Sequence, residues 1–432
     1  MIRLSHVLSI LIGLFAGPVH AAPQPTDVET TVDGEEDVSG LAYPEARRGE
    51  QVDDYHGTSV ADPYRWMEEP DSPETRTWVD GQVALTSEWL ADIPRRTVIS
   101  DRLTDLWNYE RYSPPSKAGK RWYFSHNDGL RNQSVLLSAD QPEGPGETFL
   151  DPNDLSTDGT IAVGSLSFSH DGRYLAWSFS RSGSDWREFK VRNVATGEDL
   201  PDHIRWTKFT TATWLPDDSG FLYARYPEPE EGKAFEAANR SSSYCLHKIG
   251  TDPSKDIVLY HDTEHPERHT GGQVSDDGKF LVLTITTGTD ARNRISIRNG
   301  FGPDSKLVPL ISELKASYRF LGNNGRNCLF LTDENAPRRS IVSINLDDKS
   351  KARTVLVPET SDTLESAQIL DQDKFVLVYL HNAHHVVKVV SLDGKVQKTA
   401  TLPSIGSVSG FTGRRKDSRT FFSFQSFTRP PG

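Results

Sequence analysis

Leu166-Ser-Phe-Ser-His-Asp171-Gly172-Arg-Tyr-Leu-Ala-Trp-Ser-Phe179 is the stretch that decides the fold. It reads as a strand, an Asp-Gly turn and a second strand, because glycine accepts the positive φ that a tight hairpin demands. The frame returns as Ala212-Thr-Trp-Leu-Pro-Asp-Asp-Ser219-Gly220-Phe-Leu-Tyr and as Gln273-Val-Ser-Asp-Asp277-Gly278-Lys-Phe-Leu-Val-Leu. It appears again as Phe320-Leu-Gly-Asn-Asn324-Gly325-Arg-Asn-Cys-Leu-Phe and Ile369-Leu-Asp-Gln-Asp373-Lys-Phe-Val-Leu-Val. Degenerate copies stand at Ser116-Lys-Ala-Gly119-Lys-Arg-Trp-Tyr-Phe and Gly413-Arg-Arg-Lys-Asp417-Ser-Arg-Thr-Phe-Phe. The turns therefore fall at 119, 172, 220, 278, 325, 373 and 417, spaced 44 to 58 residues apart. One hairpin per period, with room for two further strands, is the pattern of a β-propeller. Seven copies predict a mainly β chain with a seven-bladed propeller over 111–432, its last blade incomplete. Helical repeats are excluded, because the apolar residues alternate instead of recurring at 3.6.

Residues 43–110, before the repeats, follow another period. Ser72-Pro73-Glu74 is a helix start, with a capping hydroxyl, proline at the first helical position and an acid in the first turn. Trp78, Val79, Val83, Leu85, Trp89, Leu90 and Ile93 then fall within an arc of roughly 160°. This predicts an amphipathic helix over 72–92 with a wide aromatic face, and Ile99, Leu103 and Leu106 predict a second over 98–107. Residues 23–42 are polar and aperiodic, a flexible leader. Residues 1–22 read as an export signal: Arg3, an apolar run from Leu8 to Ala16, and a small-residue cleavage site at Val19-His-Ala21, with cleavage expected near Ala21 and Ala22. The run is too short to span a bilayer and no later stretch is long enough, so a secreted or periplasmic protein without membrane insertion is expected.

The net charge of −13 argues against nucleic acid, whose binding requires neutralised phosphates. Abundant turn formers, 32 Gly and 26 Pro, suit many short strands. Export would permit a disulfide between Cys245 and Cys328, but two cysteines make no framework, and two buried thiols on separate strands is the plainer reading.

Asp53-Asp-Tyr-His-Gly-Thr-Ser-Val-Ala-Asp62-Pro-Tyr-Arg-Trp66-Met-Glu-Glu-Pro-Asp-Ser72 resembles the opening signature of the prolyl oligopeptidase family. Leu150-Asp-Pro-Asn-Asp-Leu-Ser-Thr-Asp-Gly159-Thr and Ser182-Gly-Ser-Asp185-Trp186 are similarly close to it, and the likeness runs collinearly from about Tyr43 to the C-terminus. The resemblance implies a seven-bladed propeller covering an α/β-hydrolase peptidase domain built from a short N-terminal and a long C-terminal segment. Residues 43–110 would be the N-terminal segment of that domain, whose remainder is absent here.

Catalysis on that fold needs a Gly-x-Ser-x-Gly elbow followed by Asp and then His. The nearest string, Gly406-Ser-Val-Ser-Gly410, places Val408 where the nucleophile must stand. No residue is assigned as catalytic, and no cofactor is implied.

The resemblance assigns Phe209 to an outer substrate pocket, with ordinary blade-core packing as the alternative. It places Asp185 and Trp186 on a loop facing the peptidase domain, where the acid could pair with an arginine; a turn-forming Asp is the alternative. Thr270, Thr286 and Thr289 stand where other members carry larger or charged pocket residues. His381-Asn-Ala-His384-His385 lacks further ligands at metal spacing, and Pro266 interrupts the spacing of His261, His265 and His269. Asp217-Asp218 and Asp276-Asp277 read as turn chemistry rather than a glycosidase pair.

The expectation is the N-terminal and propeller portion of a secreted prolyl-specific serine endopeptidase. Its substrates would be short proline-containing peptides, its partner the missing peptidase domain, and its propeller would gate access. The alternative is a stand-alone periplasmic propeller that binds peptides or a protein without hydrolysis.

Overall fold

The turns close hairpins where the repeat places them. Gly119, Gly172, Gly278 and Gly325 have φ of 58, 75, 70 and 57°, while Asp218 takes this conformation in the third copy at 57°. In the sixth copy it falls to Asp371 and Gln372, at 47 and 69°. A computed structural model describes residues 41–235, 238–302 and 305–431. The export signal and nearly all of the leader lie outside them. The chain divides into two compact units, 1–100 and 101–432.

The second unit is a propeller of six blades. The first blade has five strands, Arg111–Tyr112, Ser116–Ala118, Arg121–Asn127, Val135–Ala139 and Glu147–Leu150. Five antiparallel four-stranded blades follow, over 161–207, 213–261, 268–311, 318–357 and 363–399. First strands of neighbouring blades approach one another, so they line the axis.

Second strands such as Gly220–Arg225 and Phe280–Thr287 are buried over most of their length. Each is sandwiched between two neighbouring sheets, so its two faces feed two different cores. Phe221 and Tyr223 pack with Phe189 and Ile204 of the blade before. Leu222 and Ala224 pack with Leu281 and Leu283 of the blade after. Such strands read as continuous apolar runs rather than alternation. The two cysteines sit buried and unpaired in different blades, on Ser243–Lys248 and Asn327–Thr332.

The expected seventh blade is not formed. Its place holds a two-stranded sheet, Ser407–Gly410 against Phe422–Gln425, which contributes Val408 and Phe424 to a core with the sixth blade. The segment between, 411–421, carries Arg414, Arg415, Lys416 and Arg419 where a blade would need apolar residues for burial on two faces. It stays a loop. Phe421 packs edge-on against Trp122 of the first blade, with centroids 5.4 Å apart.

That loop lies across the turn side of the propeller. Arg414 donates to the carbonyl oxygens of Ser169, at 2.8 Å, and His170 in the second blade. Arg415 donates to Gln372 O at 2.6 Å, to Asp276 Oδ2 at 2.8 Å, to Asp373 Oδ1 at 3.2 Å and to Asn323 O. The paired acids of the turns divide their work. Asp277 accepts from Ser275 within its own turn, whereas Asp218 accepts from the backbone N–H groups of His170 and Asp171 in the neighbouring blade.

In the first unit, Val52–Tyr55 and Thr58–Ala61 form a hairpin around His56 and Gly57, at φ 56 and 87°. Arg65 Nε donates to Asp62 at 2.6 Å, and its guanidinium also bridges to Asp53. The opening signature therefore ties itself together. Helix α1 (Pro73–Ala91) starts as expected, with Ser72 Oγ accepting from Thr75 N at 3.2 Å. Its apolar face is not buried, since only Thr75 is. Helix α2 (Arg96–Trp107), which begins in the first unit and ends in the second, exposes Val98, Ile99, Leu103, Leu106 and Trp107. Neither helix is long and apolar enough to cross a membrane.

Candidate functional site

Each first strand runs toward the tight turn of its hairpin and each second strand runs back. The loops between second and third strands, and those joining one blade to the next, therefore lie at the opposite end. Asp185 and Trp186 fall between Tyr174–Arg181 and Arg187–Asn193; Phe209 joins Asp199–Thr207 to Thr213–Trp214. Thr270 lies near the start of Arg268–Val274, Thr286 near the end of Phe280–Thr287, and Thr289 just past it. All six gather at the rim opposite the Arg414–Arg415 loop.

Phe209 is 68% exposed and has φ 53°, so it is no core aromatic; its backbone turns the ring outward. With Asp185, Arg187, Thr210 and Thr211 it lines a shallow recess of about 290 Å³. The Phe209 ring lies 6.4 Å, edge to face, from that of His269.

Trp186 is half-buried. Its Nε1 donates to Ala234 O at 2.7 Å, and its ring packs edge-on to Trp206 and Tyr226 at 5.3 and 6.0 Å. Lys208 Nζ sits 3.8 Å from the centroid of that indole, a cation over an aromatic face. Tyr226 Oη is 2.6 Å from His269 Nδ1. Burial pushes the Tyr226 phenol up to about 12 and holds the His269 imidazole below its ordinary value, so neither charges readily here.

The threonines divide. Thr270 is buried behind the rim, paired in register with Ile285. Thr286 stands directly opposite His269, beside the Phe209 ring's neighbour. Thr289 is exposed on the following turn. Sequence reading missed Lys208, Trp206 and Tyr226, whose types and spacing signal nothing. His269 was noticed only for its spacing to other histidines. The recess sets an exposed aromatic ring beside a carboxylate and a guanidinium.

The remaining motifs resolve into structure. His381 Nδ1 is 2.8 Å from Asp362, and His385 Nε2 is 2.9 Å from Glu365. In the second signature, Asn153 exchanges hydrogen bonds with the backbone of Gln133, and the Gln133 side chain donates to Ile161 O, linking the first two blades. Val408 lies buried on a strand, where no nucleophile elbow could form.

A family described as "Prolyl oligopeptidase, N-terminal beta-propeller domain" matches residues 44–432. The prolyl endopeptidase of Elizabethkingia meningoseptica is 34% identical over 392 residues, covering 90% of this chain and 55% of that protein. The prolyl endopeptidase of Elizabethkingia miricola is 32% identical over 394 residues, covering 91% and 55%. A solved structure of prolyl oligopeptidase B from Galerina marginata, bound to a 25mer macrocyclization substrate, superposes with a TM-score of 0.81 at 28% identity, covering 90% of this chain and 58% of that one. The chain thus spans about half the length of the curated relatives it matches. With a propeller built of hairpin blades and that family's description matching residues 44–432, the chain belongs to the prolyl oligopeptidase family, and what it carries is that family's N-terminal β-propeller.

Proposed function

We propose that this chain is the propeller-bearing part of an exported, prolyl-specific serine endopeptidase that acts on short proline-containing peptides. The observation that carries the reading is the rim. Asp185, Trp186, Phe209, Thr270 and Thr286 come from the second blade, the connection after it and the fourth blade, yet lie toward one end of the propeller, where the resemblance assigns substrate and domain contacts. In this reading Phe209 meets a substrate side chain, and Asp185 faces an arginine of the peptidase domain. The propeller limits which substrates reach the catalytic groups. The loop bearing Arg414 and Arg415 supports that role, because it lies across the opposite end. Export rests on the segment from Arg3 to Ala21.

The test is titration of the chain with an N-blocked proline-containing tetrapeptide, followed by chemical shifts of the rim. Saturable binding that weakens on Phe209→Ala is expected. Wild-type binding by that variant would remove Phe209 from the site.

A further inference from the structure

We infer that Lys208 is a positioning residue, the anchor that holds Phe209 out over the rim and couples its loop to the Asp185–Trp186 loop. The inference rests on the reading that Phe209 meets the peptide.

The starting point is an improbable backbone. Trp206 and Phe209 both occupy the left-handed region, at φ 61 and 53°. Residues with a Cβ avoid that region, and persist there only where the surroundings over-determine the conformation. Phe209 cannot supply that determination itself, because its ring projects into solvent.

The determination comes from its neighbours, which point inward. Thr207 Oγ1 donates to Arg187 O at 2.7 Å, and Thr210 Oγ1 accepts from Ala224 N at 2.9 Å. Tyr226 N donates to Trp206 O at 2.9 Å. Lys208 adds side-chain contacts to two further loops, those of Trp186 and Asn239. It is only 8% exposed, unusual for a lysine, and Nζ donates to Asn239 Oδ1 at 2.8 Å while resting on the Trp186 indole. Burial holds its amine below the ordinary lysine range, and the nearby Asp185 charge opposes that fall. One side chain thus touches Trp186 and Asn239 and feels Asp185, while its backbone directly precedes Phe209. If it were merely tolerated in a hydrophobic pocket, a methionine of equal length would serve as well.

The full chain distinguishes these roles. Hydrogen exchange of 204–212 reads the loop, and the tetrapeptide titration reads the site. Lys208→Met should speed exchange of that segment about tenfold and weaken peptide binding by a similar factor, with the melting midpoint little changed. Lys208→Arg should restore most of both, and Asn239→Ala should reproduce the exchange effect in part. Phe209→Ala should weaken binding while leaving exchange as in the wild type. Wild-type exchange in Lys208→Met overturns the inference, whatever the binding. Faster exchange in Lys208→Met, together with undiminished binding in Phe209→Ala, upholds the anchor and removes the functional reading instead. Should Lys208→Met fail to fold, Asn239→Ala decides, and unchanged exchange there overturns the anchor.

Discussion

The guanidinium of Arg415 lies 2.8 Å from a carboxylate oxygen of Asp276, 139 residues earlier in the chain. The same guanidinium serves acceptors in the fifth and sixth blades, and Arg414 serves the second. One loop therefore fastens four blades at the turn side. Charge-assisted bonds of this kind contribute about 1.5–3 kcal/mol each before losses to solvent. Arg415→Met should lower the urea midpoint with little change in slope, and added salt should shrink the difference between the proteins. Equal midpoints at low salt would show that the loop merely rests on the hub.

His247 is fully buried between two carboxylates, with Nε2 2.9 Å from Asp202 and Nδ1 2.8 Å from Asp256. Burial alone would lower its pKa. The hydrogen bonds and charges of Asp202 and Asp256 outweigh it and raise the imidazole to about 9. A value raised on folding stabilises the native state fully below the unfolded value near 6.5, and the gain disappears as pH climbs through 9. Stability should therefore fall by on the order of 3 kcal/mol between pH 6.5 and 9.5. His247→Gln should lose this pH dependence and be less stable at pH 6 by about 3–5 kcal/mol, since two buried acids lose their cation. A flat wild-type profile across that window would refute the assignment.

Burial pushes the thiols of Cys245 and Cys328 up to about 11 and about 12. The thiolate is the reactive form, so neither should react with a thiol reagent in the native state, and both should react after unfolding. Native labelling of either would mean that the blades open readily around it.

Helix α1 leaves Val79 and Val83 43% and 57% exposed, beside a groove of about 410 Å³ lined by Trp78, Gln82, Thr86 and Ser87. Apolar stripes of this kind bind hydrophobic dyes or one another. The chain should bind such a dye or run as oligomers, and the double variant Val79→Glu, Val83→Glu should reduce either signal without lowering the melting midpoint. A dye-negative monomer would contradict this.

Hydrolysis is expected to be absent from this chain alone, because no Gly-x-Ser-x-Gly elbow occurs in it. A chromogenic prolyl peptide should show no turnover, and a fluorophosphonate should leave the chain unlabelled. Covalent label on a serine of this chain would demand a nucleophile outside the elbow pattern. Reading the genomic DNA beyond the Gly432 codon for a Gly-x-Ser-x-Gly frame distinguishes a divided endopeptidase from a free-standing propeller.

The hairpin frame, the helix start at Ser72-Pro73 and the missing elbow could all be read from residue order. Each depends on neighbours a few positions apart: the left-handed φ of a turn glycine, a capping hydroxyl three residues from its N–H, a five-residue string. The site was half legible. Phe209 and Asp185 came from motif likeness, but Lys208 and Tyr226 carry no local signal, and their roles exist only because two loops meet.

By itself, then, the sequence determined the hairpin frame of the six blades, the helix start at Ser72-Pro73, and that the family's nucleophile elbow does not occur in it. Only the tertiary structure decided that the last repeat unit stays a loop, that Arg415 finds Asp276, and that Asp202, His247 and Asp256 share one proton-bearing centre. The reason is physical. Turns and strands answer to steric preferences of adjacent residues, whereas the Asp202–His247 and Asp276–Arg415 contacts join groups 45 and 139 positions apart and form only once the blades are stacked around a common axis.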